Sequence, residues 1–307
     1  MLVLACFAAL WVGSTSLGDS DRARSIVMDI RLPRILLAGA VGASLALAGV
    51  AAQSLFGNVL AAPHVVGVSS GSGLGAVLAM LVLAGRLGRW TVPAASMTTG
   101  CAVVLVVLLL ARRGRTRGAS LILAGIAVGA FCSALTSGVL YLADQRLQQI
   151  VFWLMGGFWR ADWAEVYLML PVMLVAGVAL RLVAPQMNVL VLGKRQAADL
   201  GVNLRRLDAV RLVAVVVPTA VAVSLSGVVG FVGLIVPHLV RQWTGPDHRV
   251  LVPASALAGA LLLVAADTAA RTLAAPEEIP VGILTALVGA PVFLWLLQRR
   301  AALQEVS

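Results

Sequence analysis

The chain alternates between long uncharged apolar runs and short polar breaks. A spanning helix needs about 20 apolar residues, and reading for such runs gives segments at 2–17, 35–56, 65–85, 90–111, 119–142, 166–180, 250–266 and 279–297. A further run from Leu212 to Pro237 is long for one helix and is interrupted by Pro218, Gly227, Gly230 and Gly233. Proline removes a helical N–H and glycine loosens the backbone, so the run fits two shorter helices as well as one. Hydropathy alone leaves nine or ten helices open. Every predicted element is helical, and the pattern reads as one transmembrane domain over 1–307. The first segment has a second reading as a signal peptide, but it lacks a basic lead and a small-x-small cleavage site. It starts at Met1 without a cytoplasmic lead, which raises the expectation of an incomplete N-terminus.

Composition agrees with the pattern. The 307 residues are 61% hydrophobic and 12% charged, with a mean hydropathy of +1.00. Soluble domains are nearer 45–50% apolar and about 25% charged. An ordinary cytosolic enzyme, a disordered chain and a secreted disulfide scaffold are excluded. The net charge of +10 would suggest nucleic acid in a soluble protein; here it poses a question of sidedness. With ten helices and both termini cytoplasmic, fourteen Lys/Arg fall inside and nine outside, as the positive-inside rule requires. The excess then lies on one face and implies no nucleic-acid partner. Trp90, Trp153, Trp159 and Trp163 fall at outer span ends, where indoles anchor in the headgroup layer.

Several chemistries can be set aside. Cys6, Cys101 and Cys132 sit in apolar runs without zinc or disulfide spacing. A phosphate-cradling loop needs Gly-Lys followed by Ser or Thr, and Lys194 is followed by Arg195. Gly71, Gly73 and Ala76 match a dinucleotide pattern, but no acidic residue lies between Asp29 and Asp144. That glycine-rich run reads better as the small-residue face of a packed membrane helix. His64, His238 and His248 are scattered at span ends and loops, so neither a metal site nor a membrane enzyme is indicated. An ion-coupled secondary transporter wants midplane carboxylates. The spans offer only Asp267, with Arg271 four residues on as a helical partner.

Two stretches carry a resemblance. Arg31-Leu-Pro-Arg34, Val41 to Gly49, Pro63 and Gly67 to Gly71 resemble the start of FecCD-type permeases. Ser226-Gly227, Gly230 to His238, Arg241, Asp247 to Arg249, Ala266-Asp267, Ala270-Arg271, Ile279 to Gly282 and Gly289 to Leu294 fit the same pattern. These permeases are membrane subunits of ABC importers for iron-siderophores, haem and vitamin B12. The resemblance implies an all-α, type II importer fold with ten helices, dividing the Leu212–Pro237 run into two. It implies a homodimer, two ABC ATPase subunits that use ATP and Mg, an external binding protein, and the cytoplasmic membrane of a prokaryote. This chain itself would bind no cofactor. Ferric siderophore is the first expectation for cargo, followed by haem and vitamin B12, with molybdate behind.

The resemblance also implies three sites. The cytoplasmic loop at about 188–208 would couple to the ATPase through Gly193, Lys194, Ala197, Ala198, Leu200 and Gly201. Ala197, Leu200, Leu204 and Leu207 recur at helical steps, and Gly201 suits a helix end. A solvated connector is the plainer reading. Many relatives carry Glu where this chain has Lys194, which inverts a charge at the contact. His238, Arg241, Asp247, His248 and Arg249 form a second turn expected to support it. Outside, Arg31, Arg34 and Arg271 would meet acidic lobes of the binding protein, since the guanidinium fork pairs bidentately with carboxylate; headgroup anchoring is the alternative. Asn58, Leu60, Gly118, Ala119 and Ser120 would form a cytoplasmic gate, or merely interhelical turns. Relatives read Asn-Pro-Leu-Ala, whereas this chain reads Asn58-Val-Leu-Ala61, and loss of that proline predicts a looser turn.

Overall fold

The computed structural model describes residues 24–83, 88–111 and 117–304, without the side chains of 117–119, 297 and 299–304. The segment at 2–17 lies outside the described residues. Helices occupy Leu32–Phe56 (α1), Val68–Leu78 (α2), Thr91–Ala111 (α3), Arg117–Tyr141 (α4), Leu147–Leu154 (α5), Trp163–Val189 (α6), Lys194–Asp199 (α7), Leu204–Ser226 (α8), Val232–Thr244 (α9), His248–Thr272 (α10) and Val281–Gln304 (α11). A π-helical turn, Ile26–Arg31, leads into α1, and another, Ala79–Leu83, extends α2. No strand occurs among the described residues. Six helices are long and apolar enough to cross a membrane, and Val68–Leu83 and Val281–Leu296 are shorter apolar helices.

Helix α1 is the centre of the bundle. It is buried on all sides from Leu37 to Gln53, as a helix hydrophobic all round should be, and α6, α8, α9 and α10 pack against it. Such proximity needs small residues at the crossings, because lipid supplies no hydrophobic drive between helices. At Gly42 a Cβ would collide with the Gly259 carbonyl of α10 and lie 2.8 Å from the Leu263 Cβ. The glycine-rich run on α2 works likewise: a Cβ on Gly71 would come within 2.7 Å of Val103 on α3. It is a packing face, as its lack of a downstream carboxylate implied.

The Leu212–Pro237 run does divide. Helix α8 ends at Ser226 and α9 begins at Val232. Gly227 has φ 68° and Phe231 φ 65°; a non-glycine residue in that region is strained. The Phe231 side chain is wedged over Gly289 of α11, where a Cβ would lie 2.5 Å from it. The 13 residues of α9 span about 20 Å at 1.5 Å each, short of a hydrocarbon core of about 30 Å. Irregular backbone at membrane depth must find partners inside the protein, and here the Ser226 carbonyl accepts Gly157 N–H at 2.8 Å.

Other boundaries move. The segment expected at 166–180 runs from Trp163 to Val189, carrying Arg181 within it, and the helix expected from Leu212 starts at Leu204. An apolar-run reading stops at a charge, whereas helices continue past the membrane into water. Trp153 is 8% exposed, so it packs in the core and is no headgroup anchor.

Candidate functional site

At one end of the bundle, α6 and α8 are joined by a loop containing the short helix α7. Gly193 starts it with φ 108°. Its end is a Schellman closure: Val202 N–H donates to Ala197 O at 3.0 Å and Gly201 N–H to Ala198 O at 2.9 Å, with Gly201 at φ 84°. The expected amphipathic helix is thus two pieces. Ala197 and Leu200 belong to α7 and its cap, while Leu204 and Leu207 open α8, which Asn203 caps by accepting Arg206 N–H at 3.1 Å. Ala197 is fully buried and roots the loop, whereas Lys194, Ala198 and Gly201 are exposed. Leu200 is 65% exposed. Val191 and Leu192 just ahead of α7, and Trp243 in the last turn of α9, are also exposed apolar side chains. Trp243 escaped sequence reasoning; its signal was an indole among charges at the end of an apolar run.

The second turn is built differently from a surface contact. Asp247 caps α10 by accepting Arg249 N–H at 2.8 Å, and both residues are exposed. Two hydrogen bonds, from Arg249 N–H and the Asn188 side-chain amide, hold the Asp247 carboxyl below the usual carboxylate range. His248 instead points inward and is 6% exposed. Its backbone N–H donates to Asn188 Oδ1 at 2.9 Å, and its ring Nδ1 lies 2.8 Å from the same oxygen. His238 is half-buried on α9. Arg241 donates to Gln53 Oε1 at 3.4 Å, and Gln53 donates to the Leu234 carbonyl at 3.2 Å, which ties α9 to the end of α1.

The expected gate residues lie beside this loop. Asn58 Oδ1 accepts Leu60 N–H at 2.9 Å, and Ala61 N–H donates to Asn58 O at 3.0 Å. This Asx turn supplies side-chain hydrogen bonding to the backbone where the proline is missing. Gly118, Ala119 and Ser120 lie in the first turn of α4. A cleft of about 400 Å³ is lined by Leu55 and Phe56 of α1, Leu121 of α4, Lys194 of α7, and Arg205 and Asp208 of α8. The cleft thus lies between Lys194 of α7 and the ends of α1 and α4 that flank the expected gate residues. Arg211, one of the fourteen basic residues counted on the cytoplasmic side, is 1% exposed. It pairs with Asp208 and donates to Ser54 O at 2.6 Å, binding α8 to α1.

At the opposite end, the three expected docking arginines are buried: Arg31 4%, Arg34 8% and Arg271 6% exposed. Arg34 donates to Asp267 at 2.9–3.1 Å and to Glu278 at 2.9–3.0 Å. Arg271 Nε lies 3.3 Å from Asp267 Oδ2, the local helical pair allowed by the sequence. The cluster joins the start of α1 to the end of α10 and the approach to α11. Asp267 is thus engaged by two arginines, and α6 carries a second buried carboxylate, Glu165, in its first turn. Among the described residues no group of three His, Cys, Asp or Glu side chains could hold a metal.

The comparisons with known proteins agree with this architecture. The model of the FecCD transport family matches residues 1–299. The chain is 45% identical to the cobalamin import system permease protein BtuC of Halobacterium salinarum, covering 92% of this chain and 76% of that one. It is 42% identical to the hemin transport system permease protein HmuU of Yersinia pestis, over 96% and 88% of the two chains. A solved metal-chelate type ABC transporter in an inward-facing conformation superposes with a TM-score of 0.87 at 34% identity, covering 97% and 96%. PsaBC from Streptococcus pneumoniae, in complex with Fab, shares the fold at a TM-score of 0.63 and 13% identity, over 90% and 94%. The chain belongs to the FecCD transport family, as a membrane permease subunit and not an enzyme.

Proposed function

We propose that this permease works as a homodimer with two ABC ATPase subunits and an external binding protein, importing a metal chelate across the cytoplasmic membrane of a prokaryote. The observation that carries the reading is α7: a six-residue helix, closed at its end and rooted only by Ala197, presenting Lys194, Ala198 and Leu200 outward. A soluble motor needs such a handle. ATP and Mg act on the ATPase, and its states bias the permease between outward- and inward-facing forms by differential binding. The turn carrying Arg241, Asp247 and Arg249 supports the same contact, with His238 and His248 behind it. Asn58, Leu60, Gly118, Ala119 and Ser120 form the cytoplasmic gate, coupled to α7 across that cleft. Both termini face the cytoplasm, and 1–307 acts as one domain.

Outside, Arg31, Arg34 and Arg271 form the docking mouth for acidic lobes of the binding protein. Their burial makes this a preorganised cluster in place of free arms, with Glu278 covering part of Arg34. For cargo we favour a tetrapyrrole-class chelate, haem or a cobalamin, because relatives 42–45% identical to this chain carry those names. Ferric siderophore, first on sequence grounds, is the alternative cargo of the same machinery. The test is to purify the chain with its ATPase in lipid and measure ATP hydrolysis with and without the binding protein. Failure to associate with any ABC ATPase would sink the reading. The chelate that the purified binding protein retains identifies the cargo.

A further inference from the structure

The amide of Asn188 is the tightest polar connection between the two cytoplasmic turns. It sits in the last turn of α6, directly ahead of the α7 loop. Its Nδ2 donates to Asp247 Oδ1 at 2.6 Å, while its Oδ1 receives the His248 backbone N–H at 2.9 Å and faces His248 Nδ1 at 2.8 Å. The orientation is chemically determined, because an ionised Asp247 can only accept. The amide nitrogen must face Asp247 and the oxygen must face His248. It follows that the His248 ring carries its proton on Nδ1. Asn188 thus satisfies a backbone N–H left orphaned at the start of α10 and engages the residue that caps that helix.

We infer that Asn188 is a positioning residue for energy coupling: it latches the end of α6 to the start of α10, so that both cytoplasmic turns move as one body. The inference rests on the coupling role proposed for α7. Without the latch, a push on α7 would bend its own loop before it moved α10. With it, the stroke reaches α10, whose far end carries Asp267 and Arg271 of the outer cluster. One side chain thereby connects the motor face to the helix that reaches the docking mouth.

The donor–acceptor pattern supplies its own test. Asn188→Asp sets a carboxylate against Asp247. The double variant N188D/D247N removes that repulsion and lets the amide introduced at position 247 donate to the carboxylate introduced at position 188. It does so at the expense of the Arg249 N–H cap, because Asp247 Oδ1 serves both contacts. The full complex of permease, ATPase and binding protein is assembled in nanodiscs, and binding-protein stimulation of ATP hydrolysis is measured. Spin labels at Gln196→Cys and Pro246→Cys, both exposed positions, report the distance between the turns. N188D should lower stimulation about ten- to a hundredfold, since the hydrogen bond to a charged group that it removes is worth that much. It should broaden the label distance with equal ATPase co-purifying, and N188D/D247N should recover both in part. Asn188→Ala, which adds no charge, serves as the second variant should N188D fail to assemble. Unchanged stimulation in these variants, or a double variant no better than N188D, would overturn the inference. No co-purification with the unmodified chain would instead overturn the coupling reading on which it rests.

Discussion

Arg34 and Asp267, 233 positions apart in sequence, form a buried forked ion pair: Arg34 Nε lies 3.1 Å from both carboxylate oxygens and Nη2 2.9 Å from one. Asp267 is 1% exposed and also serves Arg271. Removing one member of a buried pair strands the other, at a cost of about 3–5 kcal/mol. Asp267→Ala should therefore lower thermal stability in nanodiscs sharply. Glu278 differs, because its side chain is 33% exposed and such pairs contribute about 0–1 kcal/mol. Glu278→Gln should leave stability nearly unchanged and, by baring the outer side of Arg34, tighten binding-protein docking. Weaker docking in that variant would refute the role given to Arg34.

The crossing of α1 and α10 makes a prediction about two glycines on one helix. A Cβ at Gly39 would meet Val264 at an ordinary 3.6 Å, whereas at Gly42 it would collide with the Gly259 backbone. Gly39→Ala should be neutral or stabilising, since alanine in a helix interior gains about 0.5–1 kcal/mol over glycine. Gly42→Ala should destabilise by about 1–3 kcal/mol through overpacking. Thermal unfolding of the two variants side by side is the check, and the same sign for both would disprove the close approach.

Much of this architecture was legible because helix breaks leave chemical marks. Gly227 and Gly230 marked the division of the long apolar run, and Gly201 marked the end of α7. The limits of α6 and α8 were not legible, because Arg181 and Arg211 interrupt apolar runs without interrupting helices. Arg211 looked like a surface charge, yet its partner Ser54 lies 157 positions away. The same distance problem hid the Arg34 cluster and the Asn188 latch. Periodicity reports which face a residue is on, and pairing across the bundle depends on folded proximity. Asn58 shows a subtler case: the missing proline was visible, but its replacement by a side-chain turn was not.

The tip of α7 separates a docking role from a structural one. Leu200 is exposed, so Leu200→Glu should shift stability by no more than about 0.5 kcal/mol. If Leu200 packs against the ATPase, the same change should weaken assembly at least about tenfold, roughly 1.4 kcal/mol. Gly201→Ala acts on the scaffold, because a Cβ at φ 84° costs about 1–2 kcal/mol. It should fray the end of α7, seen as faster amide exchange at Val202. Titrating the ATPase onto the permease distinguishes the two variants.

The capping carboxylate predicts how the α6–α10 latch responds to acid. Asp247 is held below the usual carboxylate range by Arg249 N–H first and the Asn188 amide second. A group whose folded value is depressed stabilises the fold above its unfolded value, about 3.9, and loses that contribution as pH falls through the folded value. Asp247→Asn cannot ionise and lacks the contribution throughout. The stability difference between the two proteins should therefore be constant from about pH 5 to 8 and shrink only below about pH 4. Exchange protection at Arg249 N–H should follow the same course. A difference that vanished between pH 6 and 7 would point to a histidine as the sensor and would contradict the inward, amide-bound placement of His248.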